Sequence, residues 1–340
     1  MRVVRWALGL LAAIAVATAL GACGSSDGGS TGSASSKDSP GSITVGIPVD
    51  DASYGPLYLA VDNNLFAKHN LKVKLVVFQG GSDLAKAVVG GSVDVAVSAL
   101  SEMLPAVEQH QPLKAFYGGY NSAPFIWYGQ KGITSIQDVK GKKIGVTRVG
   151  SSTDFITRYL LSKDGLNPET DAQIIGVGGG PAQVAAMKAN QVDATVSSPV
   201  TSYQLEADGD PVIARQTDLS KEYPTHVAYA NESFLTDHKA DAQHFLEGMV
   251  DGMKMAKADP KATAQAIAEH QKVDLPLAER AYKDNVDFWY PDGRLPSADD
   301  MQVFWQIGIE NGAWPKEMPE SQWLDRQFMD SYPQWGGGGA

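Results

Sequence analysis

Residues 150–154 read Gly-Ser-Ser-Thr-Asp, three hydroxyls in succession, with Arg148 two positions before them. Hydroxyls and backbone N–H groups gathered at a helix start can hold a small polar group, and the helix end adds about half a positive charge. Small, hydroxyl-bearing or glycine-rich stretches recur at Pro48-Val49-Asp50-Asp51, Gln79-Gly80-Gly81-Ser82, Ser98-Ala99-Leu100, Tyr120-Asn121, Gly178-Gly179-Gly180 and Ser197-Ser198. Glycine admits a ligand close to the backbone. Taken singly, such residues serve equally well as helix caps and turns. As a set they describe the lips of a binding crevice.

Covalent chemistry has less to work with. Cys23 is the sole cysteine, so neither a disulfide framework nor a thiolate metal cluster can be built. The histidines (His69, His110, His226, His238, His244 and His270) are scattered, and none makes the i, i+4 pair of a helical metal site. They read as solvated or capping residues, and none falls in the crevice stretches. No positioned base or nucleophile is in view. Gly-Val-Gly-Gly-Gly-Pro at 176–181 echoes a dinucleotide loop without its G-x-G-x-x-G spacing.

These stretches need elements to hold them. Ile43–Ile47 is a short β-branched strand, and residues 72–78 alternate Val73, Leu75 and Val77 with Lys72 and Lys74. Pro56–Phe66 has helical spacing. A helix opened by Ser82-Asp83, the strand 93–97, a helix opened by Ser101-Glu102 and the strand 113–119 follow. This alternation predicts a mainly parallel sheet covered on both faces. It restarts with strands at 142–147, 173–177 and 192–196 and helices at 151–163 and 181–189. Beyond Pro224 the texture changes to one strand, 226–230, and then mostly helices, including 240–258 and 297–311. A lone strand followed by helices predicts that the chain crosses back and covers the first domain.

The restart carries a repeat. At an offset of ninety-nine positions, Gly80, Gly81, Ala87, Val93, Asp94, Val97 and Ser98 fall on Gly179, Gly180, Ala186, Val192, Asp193, Val196 and Ser197. One βαβ-like device is used in two domains, and each copy supplies one lip. Open α/β sheets bind their ligands outside the carboxyl ends of the strands, where these stretches lie.

Length agrees: of 340 residues, about 300 remain after a leader, more than one core usually serves. The net charge of −11 argues against nucleic acid, whose phosphates need clustered Lys and Arg. Residues 1–22 have Arg2 and Arg5 ahead of an apolar run from Trp6 to Leu20, the dimensions of a secretory signal. No later segment reaches the roughly 20 apolar residues of a membrane span. Residues 23–41 are almost all glycine and polar, a flexible tether with a reach of roughly 25 Å.

Leu20-Gly21-Ala22-Cys23 resembles the bacterial lipobox, which implies that Cys23 becomes the mature N-terminus and carries the lipid (a diacylglyceryl group and palmitate). The body, from "PLYLA" at 56–60 through "SIQDVKGKKIGV" at 135–146, "GSSTDFITRYLL" at 150–161 and "VDATVSSPV" at 192–200, resembles the periplasmic-binding-protein type II fold. Within it, the nitrate/sulfonate/taurine-type solute-binding proteins of ABC importers, a branch that includes binders of the thiamine pyrimidine precursor, are the nearest likeness. The likeness covers residues 43 to about 270 well and the rest more loosely.

What the resemblance implies is a two-lobed α/β protein, each lobe a mainly parallel sheet flanked by helices, joined by two hinge strands. Residues 43–126 and 229–335 would form lobe 1 and 127–228 lobe 2, with crossings at 125–130 and 226–230. Its ligand site falls on Asp50, Asp51, Tyr54, Ser82, Ser98, Asn121, Ser151, Ser152, Thr153 and Ser198, beside the strand-end glycines Gly81 and Gly150. It implies a monomer without cofactor or metal, lipid-anchored outside the cytoplasm, that delivers a small polar solute to a permease and its ATPase. The family's ligands suggest an anion or zwitterion, with Arg148 adding charge; Asp50 and Asp51 oppose an oxyanion and suit an amine or ring N–H. Tyr54, Tyr120 and Trp127 are candidates to stack on a ring, Trp127 more naturally as core. Two rivals stand: an enzyme on this fold, of the kind that makes the thiamine pyrimidine or a menaquinone precursor, and a ligand-sensing adaptor.

Overall fold

The computed structural model describes residues 40–337. The expected signal peptide and Cys23 lie outside them, as does nearly all of the expected tether. The tether's expected last residue, Gly41, already belongs to a strand: β1 (Gly41–Ile47) pairs in parallel with β2 (Leu71–Val77) from Gly41–Leu71 onward. β3 (Val95–Ser98) runs parallel to β1 on its other side, and β4 (Leu113–Tyr120) closes the first ascent. The chain then enters a second sheet through β5 (Ile126–Gly129) and builds it from β6 (Lys142–Val146), β7 (Ala172–Gly176), β8 (Ala194–Ser197) and β9 (Val212–Arg215). It returns as β10 (His226–Asn231).

The strand orders are β2-β1-β3-β10-β4 and β7-β6-β8-β5-β9. In each sheet the fourth position is held by the strand that arrives from the other side, and it runs antiparallel to both neighbours. The strands expected as crossings are thus the first ones reached after each crossing. The passages themselves are residues 121–125 and 216–225.

The repeated Val-Asp has a structural cause. Asp94 Oδ2 accepts from Thr44 N at 2.7 Å while Asp94 N donates to Thr44 O at 3.0 Å. Asp193 does the same with Lys143, at 2.9 and 2.8 Å. Each Asp clamps the start of a central strand to the neighbouring one. Val93 and Val192 are buried beside them. All four residues of β3 and of β8 are buried, as expected of strands covered on both faces.

Lobe 1 packs Leu57, Tyr58, Phe245 and Ile267, from helices Gly55–Asp62, Lys239–Ala258 and Pro260–Gln271, against its sheet. A second core runs between the lobes and joins Leu84, Leu104, Trp127, Phe155, Trp305 and Trp314. The C-terminal part therefore does not cover lobe 1 alone. Helix Ala298–Glu310 reaches helix Ser152–Lys163 of lobe 2, and Asn311 Nδ2 donates to Phe155 O at 2.6 Å. Among the described residues no helix is long and apolar enough to cross a membrane.

Candidate functional site

The carboxyl ends of β1, β3, β6 and β8 and the amino ends of the antiparallel β5 and β10 converge on one cavity. It offers about 60 Å³ to the centres of water-sized spheres. Adding a water radius on all sides gives roughly 200 Å³ of molecular volume, room for about ten non-hydrogen atoms. Both lobes wall it.

Lobe 1 contributes acceptors. Asp51 Oδ1 accepts from Ser53 N (2.9 Å) and Ser53 Oγ (2.6 Å), and its Oδ2 accepts from Ser198 Oγ of lobe 2. Asp51 is enclosed by protein yet keeps part of its surface on the cavity. Burial pushes its carboxyl above the usual range, against the hydrogen bonds that favour the charge. Glu102 is 5% exposed: its Oε2 accepts from Ser98 Oγ at 2.6 Å, and its Oε1 from Ser152 Oγ and Ser152 N at 3.1 and 3.3 Å. Burial raises this carboxyl too. The exposed Asp50 stands at the rim, where Tyr58 donates to it at 3.3 Å.

Glu102 occupies a particular place. Ser152 begins the twelve-residue helix Ser152–Lys163 of lobe 2. Gly81, first residue of helix Gly81–Val89, lies so near that a Cβ there would fall 1.6 Å from Glu102 Oε2. The chain's own carboxylate thus fills the space between two helix starts where a free anion is otherwise favoured. Opposite, Gly179 leaves room for Val49, whose Cγ1 would be 2.5 Å from a Cβ.

His226 forms the aromatic floor. Its ring stacks on Tyr54 at 4.0 Å between centroids and on Tyr120 at 4.6 Å. Nε2 lies 3.2 Å from Ser53 Oγ. Since Ser53 donates its own proton to Asp51, Nε2 must be the donor in that contact, which leaves Nδ1 as an acceptor. Burial pushes the imidazole down to about 3, so it is neutral. Tyr54 OH is spent on Val97 O at 3.0 Å. Phe125, Thr147, Thr201, Thr225 and Gln183 complete the wall.

Of the residues expected at the site, the structure brings Asp50, Asp51, Tyr54, Ser152, Thr153 and Ser198 to the cavity wall. The others serve the frame. Ser98 is fully buried behind Glu102, and Ser151 Oγ donates to Arg148 O at 2.6 Å. Asn121 Nδ2 donates to Arg294 O at 2.9 Å. Ser82 donates to Val149 O at 3.3 Å on the rim, with Gly150 beside it and Gly81 beneath Glu102. Arg148 points away, to Asp83 at 3.0 Å, and adds no charge to the cavity. Trp127 is core, donating to Thr157 Oγ1 at 2.9 Å, and Tyr120 lies behind His226.

His226 corrects the expectation that no histidine belongs to the crevice. The rule placing ligands at carboxyl ends of strands hides it: on an antiparallel strand the same edge is the amino end, where His226 sits. Glu102 looked like an ordinary first-turn acid of its helix. No group of three or more His, Cys, Asp or Glu residues among those described is arranged to hold a metal ion.

Two lobes of matching strand order, with a cavity of mixed polar and apolar lining between their strand ends, have the periplasmic-binding-protein type II fold. The chain belongs to the NMT1/THI5-like family, whose model matches residues 51–263. It is 24% identical to a Haemophilus influenzae protein named for thiamine biosynthesis, over 78% of this chain and 85% of that one. It is 28% identical to the nitrate/nitrite binding protein NrtA of Nostoc over 57% of this chain and 44% of that one. The fold superposes with a TM-score of 0.69 on the alkanesulfonate-binding protein SsuA of Xanthomonas axonopodis bound to MOPS, at 21% identity, covering 84% of this chain and 99% of that one.

Proposed function

We propose that this protein is the extracytoplasmic solute-binding component of an ABC importer, lipid-anchored through Cys23 and acting as a monomer. It captures a small polar solute between its lobes and presents it to a membrane permease. The observation that carries this reading is the cavity between the lobes with polar contacts across it, Asp51 to Ser198 and Glu102 to Ser152. A solute touching both walls favours the closed arrangement, so binding shifts the open–closed population. A relative named as a nitrate/nitrite binding protein supports this reading, and the fold shared with an alkanesulfonate-binding protein is consistent with it.

We read the site as a binder, without a catalytic role. Ser53 lies beside His226, but its proton is directed to Asp51, the reverse of what nucleophile activation by a histidine requires. The test is mass spectrometry of small molecules released from the purified full chain, paired with small-angle scattering before and after their removal. A retained solute, and a larger radius of gyration once it is stripped, is the expected result; no retained solute and an unchanged radius refutes capture. Changing Cys23 to Ser should move the protein from the membrane to the soluble fraction, and continued attachment refutes the lipid anchor.

A further inference from the structure

Counting donors and acceptors around the cavity narrows the class of solute. Asp51 and Glu102 are acceptors, and each spends three acceptor positions on the protein, leaving lone-pair capacity on both. His226 is 8% exposed, lines the cavity, and its Nδ1 has no hydrogen-bond partner among the described residues. Gln183 spends its Nε2 on Val196 O, which leaves an acceptor oxygen. Among the described residues no Lys or Arg lines the wall, and Arg148, the nearest candidate in sequence, is paired with Asp83 outside it. A buried acceptor left without a donor costs free energy, so an acceptor-rich wall selects a donor-rich guest.

Shape adds a second constraint. Tyr54, Phe125 and His226 give the cavity aromatic surface, and its volume admits about ten non-hydrogen atoms. An oxyanion would find the place between the starts of helices Gly81–Val89 and Ser152–Lys163 already filled by Glu102 and would face the Asp51 carboxylate on the same wall. Resting on the solute-capture reading above, we infer that the cleft selects a small, flat nitrogenous cation carrying several N–H donors, an amidine or protonated amino-heterocycle, and rejects oxyanions of the same shape. Asp51 and Glu102 compensate its charge, and His226 Nδ1 accepts one of its N–H groups.

Benzamidine and benzoate test this directly, because they match in shape and size, about nine non-hydrogen atoms each, and differ in charge. With the full chain purified in detergent, benzamidine should give a one-site isotherm in calorimetry and raise the melting temperature, while benzoate does neither. Asp51→Asn should weaken benzamidine by about tenfold or more, the worth of one charge-assisted hydrogen bond. Should Asp51→Asn fail to fold by circular dichroism, Glu102→Gln takes its place with the same expected loss. Benzoate binding as tightly as benzamidine, no benzamidine binding, or benzamidine affinity unchanged in a folded variant would each overturn the inference. An oxyanion identified by mass spectrometry in the closed protein would overturn this solute class while upholding capture itself. Scattering that shows lobes unresponsive to every solute, with none retained, would overturn both.

Discussion

Replacing Glu102 by Ala should remove the carboxylate that joins the two lobes at the helix starts. The loss has two parts. Ser152 gives Glu102 two hydrogen bonds across the cleft and Ser98 gives one from within lobe 1. Hydrogen bonds to a charged group contribute about 1.5–3 kcal/mol each, so the two interlobe bonds amount to roughly 3–6 kcal/mol. Against this, desolvating the carboxylate costs several kcal/mol, which the raised carboxyl of Glu102 reflects. A net destabilisation of about 2–3 kcal/mol follows. For a body of about 300 residues the unfolding entropy is roughly 0.6 kcal/mol/K, so the melting temperature should fall by about 4 °C. The vacated place should then accept a free carboxylate. At 100 mM acetate and a dissociation constant of about 10 mM, the variant regains about 1.4 kcal/mol, or roughly 2 °C, whereas the native chain gains nothing beyond a chloride control of equal ionic strength. Differential scanning fluorimetry reads both numbers. Acetate stabilising the two proteins equally, or leaving the variant unmoved, would refute the idea that Glu102 fills an anion place.

The buried His226 makes stability depend on pH. Its folded value of about 3 lies below an unfolded value near 6.5, so between them the unfolded chain binds the extra proton and stability falls as pH drops. At pH 5 that is about 2 kcal/mol relative to pH 7. Asp51 and Glu102, both raised, contribute with the opposite sign in native chain and variant alike. The difference between native and His226→Gln in urea melts therefore isolates the histidine, and identical pH slopes would place the proton elsewhere. Gly81→Ala should cost about 1–3 kcal/mol by driving a methyl into the Glu102 carboxylate. The double variant with Glu102→Ala should recover most of that, while strictly additive losses in urea melts would separate the two residues. Arg280, 2.9 Å from Glu206 of lobe 2 and 3.7 Å above the Tyr203 ring, is half exposed, so Arg280→Ala should weaken closure by only about 0.5–1 kcal/mol. Scattering would show this as a slightly larger mean radius of gyration; an unchanged radius would mean the pair does not hold the lobes.

The frame was legible because it obeys periodicity. β2 alternates exposed Lys72 and Lys74 with half-buried Val73 and Leu75 until Val77, which is 41% exposed at its end; helices Gly81–Val89 and Ser152–Lys163 begin at a glycine and a hydroxyl residue, and Val-Asp marks the same clamp in both sheets. The site was legible only as a neighbourhood. Ser151, Ser152 and Thr153 are consecutive, yet Ser152 meets Glu102 while Ser151 turns back to Arg148 O; one step along a helix rotates a side chain by about 100°. Which hydroxyl faces the cavity depends on the pose of the whole helix. Glu102 and His226 were hidden for a different reason: an acid in a first helical turn and a histidine opening a strand each have an adequate local role. Only the approach of the opposite lobe gives them another.

The fourth strand of each sheet also sets an order of assembly. Lobe 2 draws its five strands from the contiguous stretch Ile126–Arg215, whereas the first sheet lacks a partner between β3 and β4 until Asn231 has emerged. Contacts near in sequence form sooner than distant ones. The middle of the chain can thus complete its sheet while the amino-terminal half, synthesised earlier, waits with two open strand edges. The segment made first is the one whose sheet is completed last.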